Sequence, residues 1–253
     1  MMALWKVLLL IGVGLLTGVV NVMAGGGSLL TMPILVFLGM DGPVANGTNR
    51  VAILAQNVTA TFAFFKKGFS DFKLSLTLTL CALPGAIVGA YIGTRLGGIW
   101  FNRVLAAIMV AVMILMAKRD KKSKEIIIPD EEISKRRRIT AHILMVFAGF
   151  YGGFIQAGVG FILMAILHKV LRLDLVRVNM HKVFIVGVYT IVALVVFASK
   201  GQVVWLAGVL LAVGNATGGW IGTRLAIGKG EKLIRIILNV VLIIMAVKLL
   251  FFS

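Results

Sequence analysis

No Asp, Glu, Lys or Arg occurs from Val7 to Met40, from Leu74 to Thr94, or from Gln202 to Thr223. Uncharged runs of this length constrain the fold before anything else does. A bilayer core takes about 20 apolar helical residues to cross, whereas a helix on a soluble domain keeps a polar face. Transmembrane β-strands would alternate apolar and polar residues, and these runs do not. The whole chain agrees: 60% of its 253 residues are hydrophobic and the mean hydropathy is +1.05. The expectation is an all-α integral membrane protein that crosses several times.

The net charge of +17 does not point to nucleic acid. The basic residues sit at the ends of apolar segments and in one loop, the usual flanks of membrane spans on the cytoplasmic side. The single cysteine, Cys81, lies inside an apolar run, so no disulfide framework or cysteine metal site is expected. Nothing in the sequence implies a cofactor. Lys6 followed by Val7–Val20 resembles a secretory signal with Ala24 as its cleavage residue. The same pattern recurs in mid-chain, which argues against removal.

That recurrence is a tandem repeat. Ala24-Gly25-Gly26-Gly27 matches Ala157-Gly158-Val159-Gly160 at an offset of 133, which also pairs Asp41 with Asp174, Asn46 with Asn179, and Lys67-Gly68 with Lys200-Gly201. Ile92-Gly93-Thr94-Arg95-Leu96 matches Ile221-Gly222-Thr223-Arg224-Leu225 at an offset of 129. The expected organisation is a first transmembrane repeat over 1–117, a charged linker over 118–138, and a second repeat over 139–253. The linker carries nine basic and five acidic residues.

Each half divides into five apolar segments: 4–22, 24–38, 44–65, 74–96 and 101–117, then 139–155, 157–171, 178–198, 203–225 and 231–252. The second of each set opens with glycines and is short for a crossing. It either spans or re-enters as a half-helix. An odd count inverts one half against the other. The loops support this: 168–177 holds three Lys/Arg against none in 35–44, 66–73 holds three against one in 199–202, and 224–235 holds four against two in 95–103. The richer member of each pair falls on the linker's side, which makes the linker cytoplasmic. Inverted repeats are a signature of secondary transporters, with substrate at the repeat interface.

Acidic residues are scarce. Outside the linker only Asp41, Asp71, Asp174 and Glu231 remain, each near a segment end. Proton pumps and cation carriers keep carboxylates inside the membrane, so an anion suits this chain better. Two repeated elements could hold one. Gly25, Gly26, Gly27 and Ser28, with Gly158 and Gly160 as counterparts, open the short segments. Glycine there admits a ligand to the backbone and to a helix N-terminus, or it serves close helix packing. No Lys-Ser or Lys-Thr follows the glycines, which excludes a nucleotide P-loop.

The second element is Asn46-Gly47-Thr48-Asn49-Arg50, matched by Asn179-Met180-His181-Lys182. These side chains supply donors suited to oxyanions; alternatively they are helix caps and interfacial anchors. Gly85, Gly89 and Gly93, and Gly214, Gly218 and Gly222, are spaced by four, the small-residue pattern of packed transmembrane helices. Trp100, Trp205 and Trp220 fit an interfacial belt.

At these residues the chain resembles the sulfite exporter TauE/SafE family. The first-half likeness runs from Ala24 to Pro33, through Ala45–Arg50, and from Phe64 to Phe72; the second covers Tyr151–Gly160, including Gln156, and Val178–Lys182. The resemblance implies a secondary transporter in the cell membrane, exporting sulfite or an organosulfonate. Val159 interrupts the second set of glycines, which would make the two ends of the site unequal. The implied partners are a small anion and the lipid bilayer, and a homodimer is compatible with both. A membrane-embedded enzyme would need a nucleophile–base pair, a metal cluster or paired carboxylates, and none is visible. A scaffold subunit would leave the duplicated Asn–cation motif unexplained.

Overall fold

The computed structural model describes residues 3–117 and 133–227. Among them there is helix and no strand. The helices are α1 (Leu4–Ala24), α2 (Ser28–Phe37), α3 (Gly42–Lys66), α4 (Phe72–Gly93), α5 (Gly98–Ala117), α6 (Lys135–Phe154), α7 (Val159–Ala165), α8 (Leu175–Ser199) and α9 (Trp205–Ile227). A π-helical turn, Ile166–Val170, continues α7. Linker residues 118–132 and the last expected segment, 231–252, lie outside the described residues. Lys135–Arg138, expected in the linker, instead form the first turn of α6. Their long stems can lie along apolar surface while their charges stay in water.

Among the described residues four helices, α1, α4, α8 and α9, are long and apolar enough to cross a membrane. Helix α3 is as long, with 25 residues, but carries buried polar side chains. The ten residues of α2 reach only about 15 Å at 1.5 Å per residue, half a bilayer core. Helix α7 with its π-helical turn, Val159–Val170, reaches about 18 Å and is also short of a bilayer core. Neither glycine-led helix is long enough to cross a bilayer core by itself. The outer surface carries large apolar side chains such as Leu80, Phe147, Val195 and Val213, each more than half exposed. That is the surface of a protein solvated by lipid.

The acidic residues mark where helices begin. Asp71 accepts from the Leu74 amide at 3.1 Å and caps α4. Asp174 accepts from the Val176 and Arg177 amides at 2.9 and 3.0 Å and caps α8. Asp41 occupies the N-cap position of α3 but makes no side-chain bond to it. Such caps satisfy amides that have no partner inside their own helix.

The two halves exchange helices. Helix α1 lies along α9, with Gly14 against Leu211 and Asn215, and Gly18 against Asn215 and Gly219. Helix α4 lies along α6, with Gly85 against Val146 and Gly89 against Phe150 and Phe154. Position numbers rise together in both pairs, so each pair is parallel. The glycine ladders expected from their spacing thus let backbones meet, and Gly14, Gly18, Gly149 and Gly153 supply the opposing faces. Helices α3 and α8 cross the middle antiparallel: Gly47 meets Phe197, Asn57 meets Gly187, and Phe64 packs with Met180 and Val183. Helix α3 also runs parallel to α9, and α8 parallel to α4. Helices α1, α3 and α9 therefore run one way, and α4, α6 and α8 the other.

Candidate functional site

Helices α1 and α6 both end inside the protein. A helix end leaves its last carbonyls without intrahelical donors, and away from water each needs a partner. At the end of α6 the partners come from α3. Arg50 donates to the carbonyl oxygens of Gly152 (3.2 Å) and Gly153 (2.5 Å), and Asn46 Nδ2 donates to that of Phe154 at 2.7 Å. Arg50 also donates to Gln156 Oε1 and Asn46 Oδ1, both at 3.3 Å. Its Cζ lies 4.7 Å from the centre of the Phe197 ring, within cation–π range. Arg50 is fully buried.

At the end of α1 the partners come from α8. Lys182 Nζ donates to the carbonyl oxygens of Asn21 (3.2 Å) and Val22 (2.8 Å), and to Asn179 Oδ1 at 2.7 Å. Lys182 is 3% exposed. Each half thus caps the first helix of the other with a cation from its own central helix; Asn46 caps a carbonyl itself, whereas Asn179 accepts from Lys182. The negative end of a helix dipole favours a cation there. Neither cation faces a headgroup, and among the described residues neither meets a carboxylate; the ion pair found there is Arg177–Asp174, 3.4 Å at the surface.

The chain turns back immediately after each capped end. Gly25 has φ +81° and Gly158 has φ +72°, left-handed values that favour glycine. These positions correspond at the offset of 133. Gln156 also adopts a positive φ of 63°, and Tyr151 pins this turn by donating to the Ala157 carbonyl at 2.5 Å. The two turns touch: a Cβ built on Gly25 would lie 2.6 Å from the Gly160 Cα. Gly27 packs on Thr17 and Asn21 of α1, and Ser28 is buried. Gly26 accepts from the Leu29 amide at 3.0 Å at the start of α2.

Not every candidate joins these clusters. Thr48 accepts from the Val204 amide at 2.9 Å, at the start of α9. His181 Nδ1 meets Ser75 Oγ of α4 at 2.8 Å. Asn49 accepts from Thr31 of α2 at 2.6 Å. Residues outside the expected set also contribute. Gln56 accepts from Asn21 Nδ2 at 3.1 Å, beside the Lys182 cap, and the Tyr189 hydroxyl packs against Gly152, beside the Arg50 cap. Gln56 and Tyr189 correspond at the same offset of 133. Three buried donors of α3, Asn49 Nδ2, Arg50 Nε and Gln56 Nε2, have no acceptor among the described residues. Arg50 and Gln56, six residues apart, set the two clusters about 9 Å apart along α3.

Such a structure, with two helix ends meeting in the interior of a bundle whose outer surface is apolar, is that of a multi-pass membrane protein. The family model for sulfite exporter TauE/SafE matches residues 10–249, and the chain belongs to this family of membrane transporters. Similar proteins include "Probable membrane transporter protein ORF9" of Sinorhizobium sp, 26% identical over 93% of this chain and 88% of that one. "Probable membrane transporter protein YfcA" of Escherichia coli (strain K12) is 27% identical over 95% and 88%. "Probable membrane transporter protein YunE" of Bacillus subtilis (strain 168) is 25% identical over 96% and 97%. No solved structure matches the chain at comparable significance.

Proposed function

We propose that this chain exports a small sulfur-containing oxyanion, sulfite or an organosulfonate, across the cell membrane as a secondary transporter. One observation carries the reading: Arg50 and Lys182, both buried, hydrogen-bond only to carbonyl and amide oxygens among the described residues. A buried charge without a counter-charge is costly. Helix-end dipoles offset part of that cost, and an anion between the two clusters would offset more. The spare donors of Asn49, Arg50 and Gln56 can replace part of an oxyanion's water shell.

The opposed directions of α1 and α6, of α3 and α8, and of α4 and α9 support an inverted repeat, with the linker cytoplasmic. The Gly25–Gly160 contact lies where the two turns meet. Parting those turns toward one face and then the other would give alternating access.

The test is flux of sulfite and methanesulfonate into proteoliposomes, with Asn46→Ala, Arg50→Ala, Asn179→Ala and Lys182→Ala alongside the parent. Saturable flux by the parent, with anion affinity at least about tenfold weaker in the cation variants, is the expected result; that corresponds to one charge-assisted hydrogen bond. A parent that moves neither anion sinks the reading.

A further inference from the structure

Lys182 differs from Arg50 in one chemical respect: an amine can lose its proton in a protein, and a guanidinium cannot. We propose that Lys182 carries the coupling proton, being neutral in the empty transporter and taking up one proton with each anion bound. This rests on the anion-carrier reading above.

The geometry suits both protonation states. As an ammonium, Lys182 has three N–H bonds and three acceptors: Asn21 O, Val22 O and Asn179 Oδ1. As an amine it keeps two N–H bonds for the carbonyls and gains a lone pair. Turning the Asn179 amide over presents Nδ2–H to that lone pair, so the hydrogen-bonding groups of the lysine itself all keep partners. Asn21 O in addition holds the Gly25 amide at 2.9 Å, so it does not depend on the lysine alone. The Arg50 cap, spread over two backbone carbonyls, Gln156 and Asn46, has no comparable neutral form.

Among the described residues the surroundings supply no counter-charge. On α8 the neighbouring His181 is turned to Ser75 of α4. Helix α3 contributes a second cation, Arg50. Helix α1 carries no titratable residue from Val7 to Ala24. Arg224 of α9 is exposed, its guanidinium 3.6 Å from the centre of the Trp220 ring. A second full charge beside Arg50 is therefore disfavoured until an anion arrives. The proton adds to the amine lone pair on binding and departs to water on release at the other face. With a monoanion the coupled step moves no net charge. Its direction then follows the anion and pH gradients, not the membrane voltage.

The test measures binding of methanesulfonate, whose charge is fixed across the range, to the purified full-length protein from about pH 5 to about pH 9, which covers buried lysines. Calorimetry in buffers of different ionisation enthalpy counts the protons. The parent should take up close to one proton per anion on the alkaline side, its affinity falling about tenfold per pH unit. Lys182→Arg should bind with pH-independent affinity and no proton uptake. Parent binding without proton uptake, a count that needs no variant, overturns the proposal and leaves the anion carrier standing. So does proton uptake that persists in Lys182→Arg. Absence of methanesulfonate binding by the parent at every pH overturns the carrier reading and this proposal with it.

Discussion

At the end of α6, a planar guanidinium reaches two backbone carbonyls and a glutamine, and an asparagine takes a third carbonyl. At the end of α1, a compact ammonium reaches two carbonyls and an asparagine. The two regions occupy equivalent places in the repeat and solve the same problem, a helix that ends away from water. They differ in what can change. The arginine end is a fixed charge in a rigid fork, braced by Phe197. The lysine end rests on one flexible stem and a rotatable amide. At the offset of 133 Asn46 corresponds to Asn179, while Arg50 falls against Val183 and Lys182 against Asn49, so a fixed cation and a flexible one reach the two helix ends from different positions.

The largest effects are expected where the ends meet. Gly25→Leu and Gly160→Leu each drive a side chain into the other turn's backbone, and both should abolish transport. Their alanine counterparts sharpen the comparison. Gly25 is left-handed, whereas Gly160 is not among the positive-φ glycines. Gly25→Ala should thus be the less stable of the two by about 1–2 kcal/mol, the cost of a left-handed non-glycine residue. Equal thermal stabilities in detergent would show that the clash alone matters.

The next largest effect separates the two caps. Arg50→Met strips the donors from Gly152 and Gly153 and should cost about 3 kcal/mol of stability, two buried acceptors losing charged donors. Lys182→Met should cost about 2 kcal/mol, because Asn21 O keeps the Gly25 amide. Unfolding of the two variants side by side checks this order. The reverse order would mean that the carbonyls at the end of α6 find other donors.

Much of this was legible in residues taken one stretch at a time. The apolar runs located the described helices to within a few residues. The short glycine-led segments and the paired Asn–cation motifs lie where the molecule turns inward. What the motifs bind was not legible, because each cation reaches the other half of the chain. Helix phase sorts the motif residues. Asn46 and Arg50 are four apart and share a face, while Thr48 lies two residues from each and points to α9. Asn179 and Lys182 likewise share a face that His181 leaves for α4. Asn21 is a single polar residue in an apolar run, Gln56 and Tyr189 stand beside Asn57 and Thr190, and none gives much local signal; the offset pairing Gln56 with Tyr189 is the one clue they carry. The polar turn that opens α6 was hidden by its composition, which matches the adjoining linker.

The smallest effect tests the charge argument without removing a cation. Gln156 Oε1 lies 3.3 Å from Arg50, and Gln56 accepts from Asn21, whose carbonyl holds Lys182. Gln156→Glu and Gln56→Glu keep the acceptor oxygen at each place and add the counter-charge that each cation lacks. At an effective dielectric near 20, a new charge about 8 Å from the anion is worth about 2 kcal/mol against it, less once water and ions enter. Both variants should fold, and both should bind methanesulfonate more weakly, by about 1–2 kcal/mol. Gln156→Glu should be the weaker binder, since its carboxylate meets the guanidinium directly and Asn21 stands between Gln56 and Lys182. The difference should narrow at low pH, where the carboxylates gain protons. A folded Gln156→Glu protein that binds the anion as the parent does would show that Arg50 acts as a helix cap alone, leaving Lys182 as the cation the anion meets.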